Sequence, residues 1–427
     1  MERIFAVDEH VSLLGPGQPM LGPVPSGTTI VARTAPGCWG PMITPEIVGG
    51  HEVTQPIAIE GAVPGDALAI KIRRIRILSL AAMSGVDRPV EGRFENHAAI
   101  AARCPKCGTM NPRTVLEGTG PDAVRCAICG APANPFQCVN GYTMIFDTEN
   151  LIGLTVPKSL ADHIAARPHQ FAALPAGAKQ NPATVMGAAD LVGVWARLRP
   201  FVGNIGTSPA VTLPAASNSQ DIAARMVGAP HRFAVKKEDV PHVTESHLDS
   251  DQLRPGAILI MPVELPGGGF YMGDVHAVQG DGEIAGHTVD VSAEVIVEVR
   301  LLKAVRIEGA VLLPNREDLP SLVRPLDPAE QDALQKLAER LRVELEGPVL
   351  PIQVIGTGMD LNGAIKTALE RMSGLTGMKL DEVRNRCTIT GSVDISRLGG
   401  VVQLSMLVPC HILDKAGIGD LAREMYI

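Results

Sequence analysis

The chain has 427 residues, 45% of them apolar and 20% charged, which suits a globular protein with a buried core and argues against a disordered or membrane-embedded one. Thirty-eight Lys and Arg against 46 Asp and Glu give a net charge of −8. A chain this acidic gains little from neutralising phosphate, which excludes nucleic acid as its main partner. The start, "MERIFAVDEHVSLLG", lacks the basic and apolar segments of a secretion signal, and no run of about 18 apolar residues occurs, so a cytoplasmic location without membrane contact is expected. Forty-four Gly, 34 Pro and only 3% aromatics predict a turn-rich, largely β fold.

In chain order, residues 1–90 read as short strands. "ALAIKIRRIRIL" (67–78) alternates apolar and basic side chains, the period of a half-buried strand, and "EGAVPGD" (60–66) supplies a Pro-Gly turn before it. Residues 91–140 hold paired cysteines and read as an inserted module. From 141 to 310 the pattern is a central β-rich part, with a helix near "SLADHIAAR" (159–167) and a polar loop over 222–246. Strands return at "GAILIMPVEL" (256–265) and "TVDVSAEVIVEVRLLKAVRI" (288–307). Residues 311–427 form a C-terminal α/β portion. Its first helix, "DPAEQDALQKLAERLRVEL" (327–345), starts with Asp327 as N-cap and Pro328 in the first turn, with Leu334, Leu337 and Leu341 on one face. Further helices are expected over Asn362–Met372 and Lys379–Arg386.

Two Cys-x-x-Cys-Gly units, Cys104/Cys107 and Cys126/Cys129 with eighteen residues between them, have the spacing of a zinc ribbon. Four thiolates fill a tetrahedral zinc and leave no position for water, so this site is structural. Cys38, Cys138, Cys387 and Cys410 are scattered and read as reduced thiols.

The stretch "GDVHAVQGDGE" (273–283) gathers Asp274, His276, Asp281 and Glu283 between two strands. In an extended segment Asp274 and His276 point to the same side, about 7 Å apart. Gly280 and Gly282 let the chain bend so that Asp281 and Glu283 can face the same space. An imidazole with carboxylates suits a divalent cation or an acid/base pair, while Asp and Gly are also the ordinary residues of turns. Spacing alone leaves these alternatives open.

This stretch resembles the acetamidase/formamidase family, and three more matches follow that resemblance: "HEVTQPIAIEGAVPGD" (51–66), "RPFVGNIGTSPA" (199–210) and "RNRCTITGSVDISRLGG" (384–400), which contains Asp394 and Arg397. The ribbon and the polar segment near 222–246 fall outside it. Within it, "SHLD" (246–249) keeps Asp249 but has His247 where the family has Asn, Asp290 replaces a Glu, and His287 stands where a small polar residue is common. The resemblance implies a β-sandwich-rich α+β fold, homo-oligomers, and hydrolysis of a small amide or lactam.

No serine-nucleophile motif occurs, and neither Cys38 nor Cys138 sits in an activating context, which favours metal-activated water. The expected ligands of a catalytic divalent metal, with zinc preferred, are His276, Asp274, Asp249 and His51. Glu283 or Glu60 is expected as general base, with Asp281 in the same acidic set, and Gln279 or Asn204 as contacts to the substrate amide. His97 is a further candidate site residue, or one that starts a helix or packs the ribbon, and His163, His169 and His231 are expected at the surface. Two other functions fit the same residues: an assembly protein using the ribbon as its contact surface, and a hydrolase of another C–N bond or of an ester.

Overall fold

The computed structural model describes residues 3–37, 52–96, 98, 101–178, 186–215, 236, 245–286 and 288–427. Among them, strand dominates over helix, and three sheets carry the architecture. The largest sheet runs Ile4–Val7, Thr28–Thr34, Ala293–Leu302, Ala67–Ile77, Ile258–Pro262, Val311–Leu313, Val349–Thr357, Val401–Pro409, Gly391–Arg397. The C-terminal strands thus extend the sheet of the body.

Side-chain alternation explains how this sheet is covered on both faces. Leu68, Ile70, Leu259 and Met261 enter one core, shared with Phe270, Met272, Val202 and Ile205 of the second sheet. Their neighbours Ala67, Ala69, Ile258 and Ile260 enter another, against Ala364, Ala368 and Met372 of the helix Leu361–Thr376. Double coverage is why "GAILIMP" reads as an unbroken apolar run. Ala293–Leu302 keeps a wet face, and there Glu294 and Glu298 pair with Arg74, Arg76 and Arg73 across the strands.

The second sheet centres on Phe270–His276, a strand that includes the first four residues of the stretch 273–283 expected between two strands. The difference has a simple cause: all seven residues are buried, but Gly273, Asp274 and His276 break any apolar pattern. The third sheet pairs Ala81–Pro89 with Phe136–Asp147, and the cysteine module leaves from one of these strands and returns to the other.

The expected helices occur at Lys158–Ala165, Pro328–Leu341, Leu361–Thr376 and Leu380–Thr390. Asp327 caps the second of these, completing a capping box with Glu330. Its leucine stripe, however, faces solvent: Leu334, Leu337 and Leu341 are exposed, and only Ala338 is buried. The polar loop expected over 222–246 lies mostly outside the described residues. Among the described residues no helix is long and apolar enough to cross a membrane.

Candidate active site

Strand register assembles the first half of the site. His276 is paired with Asp290 on the neighbouring strand, so two residues distant in sequence share one spot. Asp290 Oδ1 lies 3.3 Å from His276 Nε2, and Asp274 Oδ1 lies 3.2 Å from the same nitrogen. Phe201, opposite His276 on the other flank, sets its ring edge-on to the imidazole at 4.9 Å.

The second half comes from the segment 246–249. Leu248 and Asp249 donate their amides to Gly203 O at 2.9 and 3.0 Å, which lays the segment against the strand Phe201–Thr207. His247 Nε2 then stands 3.0 Å from Asp249 Oδ2 and 3.5 Å from Asp274 Oδ2. Asp274 therefore offers one oxygen to each histidine. Glu283 enters from the loop after the strand, where Gly282 takes φ +86°. Arg397 reaches in from Gly391–Arg397, with Nε 3.6 Å from Asp249 Oδ2 and 3.7 Å from Glu283 Oε2.

Asp249, Asp274 and Glu283 hold φ of 47°, 56° and 41°, conformations that L side chains rarely adopt. Backbone strain of this kind persists only where surrounding structure over-determines it, and it clusters at functional sites.

Charge is the dominant feature. Asp249, Asp274, Glu283 and Asp290 are all buried, and Arg397 is the permanent cation placed among them in the described residues. Burial, then the charge of Asp249, raise the Glu283 carboxyl to about 8. Burial also holds Asp290 well above the usual carboxylate range. Burial lowers the proton affinity of His276, but Asp274 and Asp290 outweigh it and keep the ring well above the usual imidazole value. Asp249 is pushed up by burial and pulled below its ordinary value by His247. Such a set retains protons where a metal cation would otherwise stand.

The donors fit a divalent ion. Two triads, His247/Asp249/Asp274 and Asp274/His276/Asp290, each have ligand atoms within 4.8 Å of one another. A tetrahedral ion with bonds of about 2.0–2.1 Å spaces its donors about 3.4 Å apart, close to the 3.2 and 3.3 Å seen at His276. The oxygens of Asp290 and Oε2 of Glu283 are buried and take no hydrogen bond among the described residues. Buried carboxylates left so poorly satisfied are costly unless they face a cation.

The four module cysteines also converge within 4.8 Å of one another. Their sulfurs stand 3.4 Å apart for Cys104–Cys129 and 3.8 Å for Cys107–Cys126. Bonds of about 2.3 Å in a tetrahedral thiolate site imply about 3.8 Å. Gly108 and Gly130, at φ +72° and +70°, turn the chain under the sulfurs and donate to Cys104 O and Cys126 O.

Of the expected catalytic residues, the structure gathers Asp249, Asp274, His276 and Glu283. His51 lies outside the described residues, as do His97, His231 and His287. His163 and His169 are exposed. Glu60 is exposed at its turn, outside both triads. Asp281 is exposed too and lines a separate cavity of about 250 Å³ with Asp251, Asp394, Arg199, Gln252 and Gln403. Asn204 is buried on the opposite strand face from Gly203, which abuts the carboxylates, and its amide donates to Ala215 O at 2.7 Å. Gln279 is engaged inside the protein, with His276 Nδ1, Asp249 O and Ser396 O. His247, Asp290 and Arg397 were not among the expected ligands or bases. "SHLD", the strand pairing of Asp290 and the Asp-Ile-Ser-Arg stretch were the signals that could have found them.

The site thus gathers two buried histidines and four buried carboxylates in a β-rich fold. The chain belongs to the acetamidase/formamidase family, whose model matches residues 39–415. It is thus a hydrolase of non-peptide C–N bonds. The fold is similar to that of a predicted acetamidase/formamidase from Thermoanaerobacter tengcongensis, with TM-score 0.53, 17% identity, and 98% of this chain and 99% of that one covered. It is also similar to an acetamidase from Bacillus halodurans, with TM-score 0.53, 16% identity, and 97% and 99% covered. An acetamidase from Yersinia enterocolitica gives TM-score 0.53, 15% identity, and 95% and 92% covered. No curated protein matches the chain.

Proposed function

We propose that this chain hydrolyses a small amide, formamide- or acetamide-like or a lactam, to a carboxylate and ammonia or an amine. The observation that supports this most is the meeting of the two triads at Asp274. Each combines one imidazole with two carboxylates, a donor set suited to zinc. A divalent ion held there would supply Lewis acidity toward the amide carbonyl and toward water.

The chain's own groups do the rest. Glu283, buried beside Asp249 and Arg397, takes a proton from the attacking water and returns it to the leaving nitrogen. Arg397 holds the Glu283 and Asp249 carboxylates in place. Burial excludes bulk water, which strengthens each of these interactions. Cys104, Cys107, Cys126 and Cys129 hold a separate structural zinc. Low aromatic content, 3% of residues, points to a small aliphatic or polar substrate rather than a stacked one.

The test is ammonia release from formamide, acetamide and a lactam panel, with metal content per chain measured on the same samples. His276→Ala and Glu283→Gln should each lower kcat at least about 100-fold, in line with loss of a metal ligand or proton carrier, while circular dichroism stays unchanged. Near wild-type turnover in either variant would remove its assigned role, and undiminished turnover after complete chelation would remove the metal.

A further inference from the structure

We infer that Gln279 is a positioning residue that fixes the tautomer of His276 and so turns its Nε2 lone pair toward the carboxylates; this rests on the metal-dependent function proposed above. The Gln279 Nε2 group lies 2.7 Å from Asp249 O and 3.1 Å from Ser396 O, and two carbonyl oxygens can only be met by an N–H donor. The amide orientation is thereby settled, leaving Oε1 to face His276 Nδ1 at 2.8 Å. An amide oxygen accepts and cannot donate, so Nδ1 carries the hydrogen. The unprotonated nitrogen of the neutral ring is then Nε2, the atom 3.2 Å from Asp274 Oδ1 and 3.3 Å from Asp290 Oδ1. A lone pair facing two carboxylates would be repulsive in isolation, and with a cation among them it becomes a ligand.

The same amide does a second task. Its two donor bonds tie the loop after the strand Phe270–His276 to the carbonyl of Asp249 and to Ser396, the residue before Arg397. One side chain thus fixes the ring of His276 and the backbone of the segments that carry Asp249 and Arg397. Phe201 closes the ring's other side edge-on, so Gln279 supplies the polar half of its orientation. Both Nε2 hydrogens are spent on these carbonyls, so Gln279 has no N–H to donate to a substrate.

Cobalt-substituted protein reads this out without turnover. Wild type should show a paramagnetically shifted, exchangeable Nδ1–H resonance from His276 together with a ligand-field band in the visible. Gln279→Leu should lose protection of that resonance and raise the zinc dissociation constant roughly 10–100-fold, the usual cost of removing a partner behind a metal-bound histidine. Gln279→Met keeps the length and bulk of the side chain without its donor or acceptor and should lose affinity as Leu does, which a merely space-filling role would not produce. Wild type that takes up no cobalt at His276 overturns both this inference and the metal-dependent function. Uptake with Gln279→Leu indistinguishable from wild type, or with Gln279→Met retaining wild-type affinity, overturns the role of Gln279 alone.

Discussion

A methyl group is enough to separate packing from chemistry at this site, because glycines stand where the carboxylates turn. A Cβ on Gly203 would lie 2.7 Å from Asp249 Oδ1, 2.8 Å from Asp274 O and 2.9 Å from Asp274 Oδ2. The carbonyl among these is backbone and cannot swing away. Gly203→Ala should therefore displace Asp249 and Asp274, lower zinc affinity and kcat at least about tenfold, and cost about 1–3 kcal/mol of stability through overpacking. Gly280→Ala is the control: nothing lies within 4 Å of its added Cβ, and its melting temperature and metal content should match wild type. Equal loss in both variants would show that the effect is not steric crowding of the carboxylates. At this scale the sequence exposes the residues joined by local spacing, Asp274 with His276 and the glycine bend to Glu283. It hides His247, Asp290 and Arg397, which arrive through sheet register and a segment folding back, and neither is written in nearby spacing. Glu60 and Asp281 share the acidic, Gly-flanked character of Glu283, and composition alone cannot separate a carboxylate that turns inward from one that turns out.

Elements show a similar division. Asp327 and Pro328 mark a helix start that depends only on local hydrogen bonds, and the structure has it. The leucine stripe of that helix is a statement about an amphipathic face, and periodicity says nothing of what covers the face. The turn before the strand Ala67–Ile77 offers a cleaner local device. Asp66 is buried and accepts from Val63 N at 3.0 Å, Ala304 N at 2.8 Å and Lys303 Nζ at 2.6 Å, joining the turn to the far end of Ala293–Leu302. Burial raises its carboxyl, but Lys303 and the two amides outweigh this and leave it below its ordinary value. A folded pKa below the unfolded one means that the stabilisation is full above the unfolded value and lost as pH falls through the folded one. Asp66→Asn should thus lower the melting temperature by several degrees at pH 7, with the gap narrowing below about pH 4, where the wild-type carboxyl starts to protonate in the unfolded chain. Thermal melts across pH 3–7 check this, and a gap independent of pH would assign Asp66 a purely neutral hydrogen-bonding role.

In the whole molecule the cysteine module is an insertion between two strands that are already paired. Pro89 and Phe136 are register partners at the point where the chain leaves the sheet and returns, so a short hairpin turn can close the gap. The module's own contact with the body is small: Ala123 and Val124 bury against Met83 and Met186, apart from the two cores of the large sheet. The two His/Asp triads belong to the second sheet and the segment 247–249, and none of their residues comes from the module. The four cysteines close a local cluster of their own, apart from His276 and Asp274. Replacing residues 91–134 with a two- to four-residue Gly- and Asn-containing turn should therefore give a chain that unfolds cooperatively, contains one zinc fewer, and releases ammonia from the preferred amide within about tenfold of wild type. The full-length Cys107→Ser variant should lose the same zinc and melt lower while keeping its catalytic metal. If excision abolishes turnover while circular dichroism and the catalytic metal survive, the module takes part in the reaction or in an assembly the reaction requires, and the body alone is not the enzyme.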